Sequence, residues 1–189
     1  MKIFFLGGTF DPPHLGHVKI VEKCINKCDK FILIPAKKSP HKLTDPLANS
    51  YHRLNMLKLI FKNKKVYIDE FEIKSKEVNY TYITIQYLKN KYKNASLTMI
   101  VGLDQLLNIR NWKNSDKILN SVNILSFNRN LKNHKNIVFD NVQFVESFDI
   151  SISSTAIREG IENNNSNICN KFLDDKIFNY IKENKLYAN

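Results

Sequence analysis

Apolar residues fall into short unbroken runs, and the stretches between them carry apolar positions every three or four residues. Residues 3–6 (Ile3, Phe4, Phe5, Leu6) and 30–35 (Lys30, Phe31, Ile32, Leu33, Ile34, Pro35) are runs of this kind, read as strands covered on both faces. Residues 65–69, 97–101, 123–127 and 142–145 read the same way, and the alternation over 71–75 predicts an edge strand. Helical spacing appears over 14–26, over 51–62 behind Ser50 as cap, and over 82–92 with Ile85 and Leu88 inward. Leu54, Leu57 and Ile60 or Phe61 form the expected buried stripe of the second of these. Further helices are expected at 115–119, from a cap at Ser153 or Ser154 to 160, and over 170–183. Repeated β-α-β units imply right-handed crossovers and an α/β fold, a doubly wound parallel sheet with helices on both faces. Residues 36–48 and 163–167 are polar loops and not linkers, so 1–189 reads as one domain.

Composition narrows the class. The chain is 43% hydrophobic, close to a globular average, which argues against disorder. Its net charge of +11, from 29 basic and 18 acidic residues, favours anionic partners. Lys62, Lys64, Lys65, Lys89, Lys91 and Lys93 lie at element ends, and Lys37, Lys38 and Lys42 share one loop. That is dispersed charge with local help at a phosphate site. A nucleic-acid-binding module would interleave basic residues with exposed aromatics along one face, and no such stripe is visible. The three cysteines, Cys24, Cys28 and Cys169, read as reduced, buried structural thiols in a cytoplasmic protein. No apolar run approaches the ~18–20 residues of a membrane span. The segment before Gly7 is too short for a signal peptide. Nothing in the pattern sets an oligomeric state.

The chemistry concentrates in Gly7-Gly8-Thr9-Phe10-Asp11-Pro12-Pro13-His14-Leu15-Gly16-His17, where the first strand hands over to the first helix. In open α/β sheets ligands bind at the carboxyl ends of the strands. A helix N-terminus there favours an anion, and His14 and His17, three apart, share one face of its first turn. Together these parts make a phosphate socket. Neither G-x-G-x-x-G nor a Walker A lysine loop follows the strand, which excludes the dehydrogenase and P-loop readings.

His14-Leu15-Gly16-His17, preceded by Gly-Thr-Phe-Asp-Pro, resembles the H-x-G-H signature of the nucleotidyltransferase superfamily, whose fold is Rossmann-like. Ile152-Ser153-Ser154-Thr155-Ala156-Ile157-Arg158 resembles its late I-S-S-T-x-I-R element. A longer likeness, to the bacterial nicotinate-mononucleotide adenylyltransferases, takes in Pro40-His41-Lys42, Arg53-Leu54, Met56-Leu57, Tyr80-Thr81-Tyr82, Gly102, Asp104 and Trp112.

The resemblance implies adenylyl transfer from ATP to nicotinate mononucleotide, with release of pyrophosphate, in NAD biosynthesis. It implies Mg²⁺ held mainly by ATP phosphates and not by a protein carboxylate cage. On that basis His14 and His17 donate to the ATP phosphates, and either is able to carry a proton when two phosphates lie close. Backbone N–H groups of Gly8, Thr9 and Phe10 line the α-phosphate side, and Gly16 leaves room for the nucleotide. Ile152, Ser154 and Thr155 complete the ATP site, and Arg158 reaches the β- or γ-phosphate. Asp11 braces the loop.

For the mononucleotide, the resemblance implies that Trp112 stacks on the ring. Backbone amides of Thr81 or Tyr82 and of Lys113 read the carboxylate, with Gly102 beside them. His41 and Lys42 reach the phosphate. Asp104 either bonds a ribose hydroxyl or holds its own loop. From the residues alone, the alternatives are that Trp112 seals the edge of a core and that Lys42 is a solvated loop charge. Arg129, in a turn that is arginine-rich in the family, has no assigned role. A phosphopantetheine adenylyltransferase or a cytidylyltransferase shares the two motifs, but has no use for a ring-and-carboxylate pocket.

Overall fold

The computed structural model describes residues 1–38, 40, 44–127, 140–145, 148 and 152–188. Its frame is a six-stranded sheet of β1 (Lys2–Gly8), β2 (Lys30–Pro35), β3 (Val66–Ile68), β4 (Ser96–Gly102), β5 (Asn123–Phe127) and β6 (Val142–Val145). The strands run β3-β2-β1-β4-β5-β6 and all pairs are parallel. This is the doubly wound, Rossmann-like order, with its reversal between β1 and β4.

Side chains of successive strand residues point to opposite faces, so each apolar run feeds two cores. Leu6, Phe31, Leu33, Ile100 and Leu125 meet α1 (Leu15–Cys24), α2 (Ser50–Ile60), α7 (Ser154–Glu162), α8 (Ser166–Phe172) and α9 (Asp175–Glu183). Phe5, Ile32, Ile34, Met99 and Ile124 meet α4 (Thr81–Lys91), α5 (Leu103–Leu107) and α6 (Ser115–Leu119). Fully burying each such side chain contributes about 1.5–3 kcal/mol. Ile85 and Leu88 face inward on α4 as expected. Cys24, Cys28 and Cys169 are free and buried, and burial lifts the Cys24 thiol to about 12. Among the described residues no helix is long and apolar enough to cross a membrane.

Four local expectations change. Residues 71–75 are not an edge strand: Phe71–Lys74 is a short helix, α3. The Asp69 carboxylate accepts the Phe71 N–H at 3.0 Å and starts the turn, and the Phe71 ring stacks on Tyr87 at 3.9 Å. The cap of α2 is Asn49, whose side chain accepts from the His52 N–H, and not Ser50. The residues buried on α2 are Arg53, Met56 and Leu57, with Leu54 half-buried. The last helix is two: Leu173 and Asp174 are extended, and Asp174 caps α9 by accepting the Lys176 N–H at 2.9 Å. A capping aspartate inside an apolar-periodic stretch ends one helix and begins the next.

Candidate active site

At the carboxyl edge of the sheet, β1 opens into a loop that enters α1. His14 is the N-cap: its Nδ1 accepts the Gly16 N–H at 3.1 Å, while His17 Nδ1 accepts the His14 N–H at 3.2 Å. The two side chains thus form a reciprocal capping box, with rings 3.8 Å apart at 32°. With each Nδ1 used as an acceptor, the neutral rings carry their proton on Nε2 and keep that N–H as a donor. A proton on either Nδ1 would set donor against donor and undo the helix start. A Cβ at Gly16 would lie 2.9 Å from the His14 ring, so glycine at this position also makes room for that ring.

The loop is braced from three sides. Asp11, 3% exposed, accepts the Leu47 N–H at 2.8 Å and the Ala48 N–H at 3.0 Å, the bracing role expected of it. Ser153 caps α7 by accepting the Ala156 N–H, and Ser154 Oγ donates to the Pro12 carbonyl at 2.9 Å. Arg158 Nη1 donates to the Asp11 carbonyl at 2.7 Å, and its Nη2 to Thr155 Oγ1 at 3.2 Å. The late motif is thereby fastened to the first loop across 140 or more residues of chain.

Sequence reasoning assigned no role to Arg53. It is 1% exposed and donates to the carbonyls of Thr9, Ala36 and Ala48 at 2.7, 2.7 and 3.1 Å, and to Ser50 Oγ at 3.1 Å. Burial pushes the guanidinium below its ordinary value, which Asp11 partly offsets. An arginine on the apolar face of a helix is the signal that points to it. Tyr187, whose hydroxyl donates to Asp11 Oδ1 at 2.7 Å, carries no such signal.

Two cavities open here. One of about 240 Å³ is lined by Thr9, Phe10, His14, His17, Ile152 and Arg158, with Gly16, Ser154 and Thr155 also on its wall. The other, of about 300 Å³, is lined by Gly8, Thr9, Thr81, Gly102 and Trp112, with Glu72 and Asn79 also on its wall. Thr9 belongs to both. Trp112 is half-buried and also packs on the core beneath α4–α6, so it seals that core and walls the cavity at once. Glu72 accepts the Thr84 hydroxyl at 2.6 Å, and burial pushes its carboxyl up. Tyr82, Asp104 and Lys113 stand beside this cavity and not in its lining. Tyr82 packs on the core, Asp104 lies exposed in the first turn of α5 against Gly102, and Lys113 Nζ sits 4.4 Å over the Tyr80 ring. His41, Lys42 and Arg129 lie outside the described residues. A larger, open cavity of about 840 Å³ lies by Ser96 and Asn123, at the amino ends of β4 and β5, away from the histidines.

Among the described residues no group of three or more His, Cys, Asp or Glu is placed to hold a metal. The donors around the loop suit anions, and Asp11 is already engaged by backbone amides and Tyr187.

Comparison with known proteins gives the family and supports the fold. Residues 5–160 match the cytidylyltransferase-like family. The chain is 34% identical to a probable nicotinate-nucleotide adenylyltransferase of Clostridium acetobutylicum, over 99% of both chains. It is 36% identical to one of Borreliella burgdorferi, over 100% of this chain and 97% of the other. In fold it is similar to the Plasmodium falciparum nicotinic acid mononucleotide adenylyltransferase complexed with NaAD. The TM-score there is 0.84 at 21% identity, over 98% of this chain and 97% of that one.

Proposed function

This chain belongs to the nicotinate-nucleotide adenylyltransferases, within the cytidylyltransferase-like family, and we propose that its reaction takes place where the two cavities meet at Thr9. The enzyme transfers the adenylyl group of ATP to nicotinate mononucleotide, giving nicotinate adenine dinucleotide and pyrophosphate. The observation that carries the proposed site is the pair of cavities sharing one residue. One has donors suited to a triphosphate, and the other has a flat aromatic wall suited to a pyridine ring.

A phosphate oxygen of the mononucleotide attacks the α-phosphorus of ATP, the P–O bond to the β-phosphate breaks, and pyrophosphate leaves with the electron pair. The nucleophile is already an anion at neutral pH, so no base has to generate it. The protein supplies alignment and charge compensation. His14 and His17 donate through Nε2–H to oxygens of the α- and β-phosphates. The N–H groups of Thr9 and Phe10 serve the α-phosphate. Arg158 spreads its charge over the leaving pyrophosphate. Trp112 stacks on the nicotinate ring, and backbone N–H groups near Thr81 donate to its carboxylate. These residues fit a divalent cation carried on the nucleotide's own phosphates. Mg²⁺ bound in that way would neutralise part of the triphosphate charge.

The test is pyrophosphate release with ATP and a panel of acceptors: nicotinate mononucleotide, nicotinamide mononucleotide, phosphopantetheine and phosphocholine. The acid mononucleotide is expected to be the preferred acceptor. Preference for phosphopantetheine or phosphocholine would reject the ring-pocket reading.

A further inference from the structure

We propose that Tyr187 is a positioning residue for ATP, acting through Asp11 to keep Arg158 turned toward the triphosphate. The proposal rests on the reading of Arg158 as a phosphate ligand.

Tyr187 lies beyond the end of α9, 176 residues from Asp11, yet its hydroxyl donates to Asp11 Oδ1 at 2.7 Å. That oxygen also accepts the Ala48 N–H, and Oδ2 accepts the Leu47 N–H. Arg158 Nη1 lies 3.9 Å from Oδ2, beyond hydrogen-bond reach, and bonds the Asp11 backbone carbonyl instead. The segment reaches this point through a specific backbone path. Lys185 and Tyr187 have φ of 50° and 62°, and the Leu186 N–H closes onto the Ile181 carbonyl at 3.0 Å. Left-handed backbone at two non-glycine residues persists only where the surroundings over-determine it. Leu186 and Tyr187 pack on the core beneath α1, α7 and α9. Burial and the adjacent Asp11 hold the phenol protonated, so it remains a donor.

A carboxylate beneath an anion-binding cavity is a competitor. It repels phosphate and attracts the arginine meant for phosphate. Here its oxygens are occupied by two amides and the Tyr187 hydroxyl, and Arg158 is left at the carbonyl. Without the hydroxyl, Asp11 loses a donor and its charge is less compensated. The nearest cation able to replace that donor is Arg158. Shortening that 3.9 Å ion pair to hydrogen-bond distance draws the guanidinium away from the cavity shared with His14 and His17.

The experiment compares Tyr187→Phe, Asp11→Asn, the double variant and Arg158→Ala. Initial rates are measured with each substrate varied, alongside melting temperature. Tyr187→Phe is expected to raise the KM for ATP by about fivefold or more, the scale of one typical net hydrogen bond, and to leave the KM for the mononucleotide within about twofold. With Asp11→Asn in place, adding Tyr187→Phe should change the ATP KM little, because no carboxylate is left to capture the arginine. A KM for ATP unchanged in Tyr187→Phe, or both KM values rising together with a falling melting temperature, overturns the proposal. If Tyr187→Phe melts too low to assay, the same measurements on Asp11→Asn alone decide. A lowered or unchanged ATP KM supports the competitor role, and a raised one overturns it. An Arg158→Ala variant with unaltered ATP kinetics overturns the phosphate reading of Arg158 and, visibly by that separate result, the proposal built on it.

Discussion

Arg53 Nη1 donates to the carbonyl of Thr9 at 2.7 Å, so a guanidinium sealed inside the protein holds the one residue that both cavities share. The same nitrogen holds Ala36, just beyond β2, and Nε holds Ala48, whose N–H bonds Asp11. Arg53 thus ties the ends of two strands and the loop before α2 into one frame behind the substrates.

Removing that frame is costly. Arg53→Ala leaves four carbonyls, those of Thr9, Ala36, Lys37 and Ala48, and the Ser50 hydroxyl without their donor, and it opens a cavity. A loss of about 3–5 kcal/mol is expected by urea unfolding. Arg53→Lys should recover only part of it, because a single ammonium cannot reproduce the planar fork. A loss below about 1 kcal/mol for the alanine variant would show that these bonds contribute little.

The histidine pair separates two jobs that one ring performs. Asparagine reproduces an acceptor near Nδ1 but has nothing at Nε2, so His14→Asn should keep the start of α1 and lose turnover. A fall in kcat of about 10²-fold or more is expected for each of His14→Asn and His17→Asn, with melting temperature nearly unchanged. Normal turnover in either folded variant would remove that ring from the chemistry.

Trp112 has two surfaces in use, one on the core and one on the second cavity. Trp112→Phe should preserve much of the packing while offering a smaller stacking face. The KM for nicotinate mononucleotide should rise several-fold, by the roughly 1 kcal/mol of a weakened aromatic contact, and the KM for ATP should stay. Equal rises in both would assign the residue to packing alone.

Glu72 supplies the pH signature. Burial raises its carboxyl above the ordinary value, and the Thr84 hydroxyl only partly opposes this. A raised folded-state value means the group favours folding fully below its unfolded value, and that contribution is lost as pH rises through the folded one. Glu72→Gln keeps an acceptor for Thr84 and removes the titration. The variant should therefore gain stability relative to wild type as pH rises from about 4 through the raised folded-state value. A difference independent of pH would mean the carboxyl titrates as if in water.

The strands β1, β2, β4 and β5, the parallel winding and the first helix were legible in the chain. A run such as Phe31-Ile32-Leu33-Ile34 suits only a strand covered on both faces. The two motifs were legible too, because their residues are local and their spacing sets one helical turn. Errors arose where a polar side chain overrides periodicity: Asp69 turning 71–74 into helix, Asn49 taking the cap from Ser50, and Asp174 breaking the last helix.

Local pattern carries capping and hydrophobic periodicity, since both depend on neighbours within a turn or two. It carries none of the bonds that span the fold. Arg53 to Thr9, Arg158 to Asp11 and Tyr187 to Asp11 join positions 44, 147 and 176 residues apart. That the His14 ring lies against Gly16 also emerged once the chain had closed on itself. A hydrogen bond is set by distance and direction in space, and the linear order of residues specifies neither until packing brings the partners together.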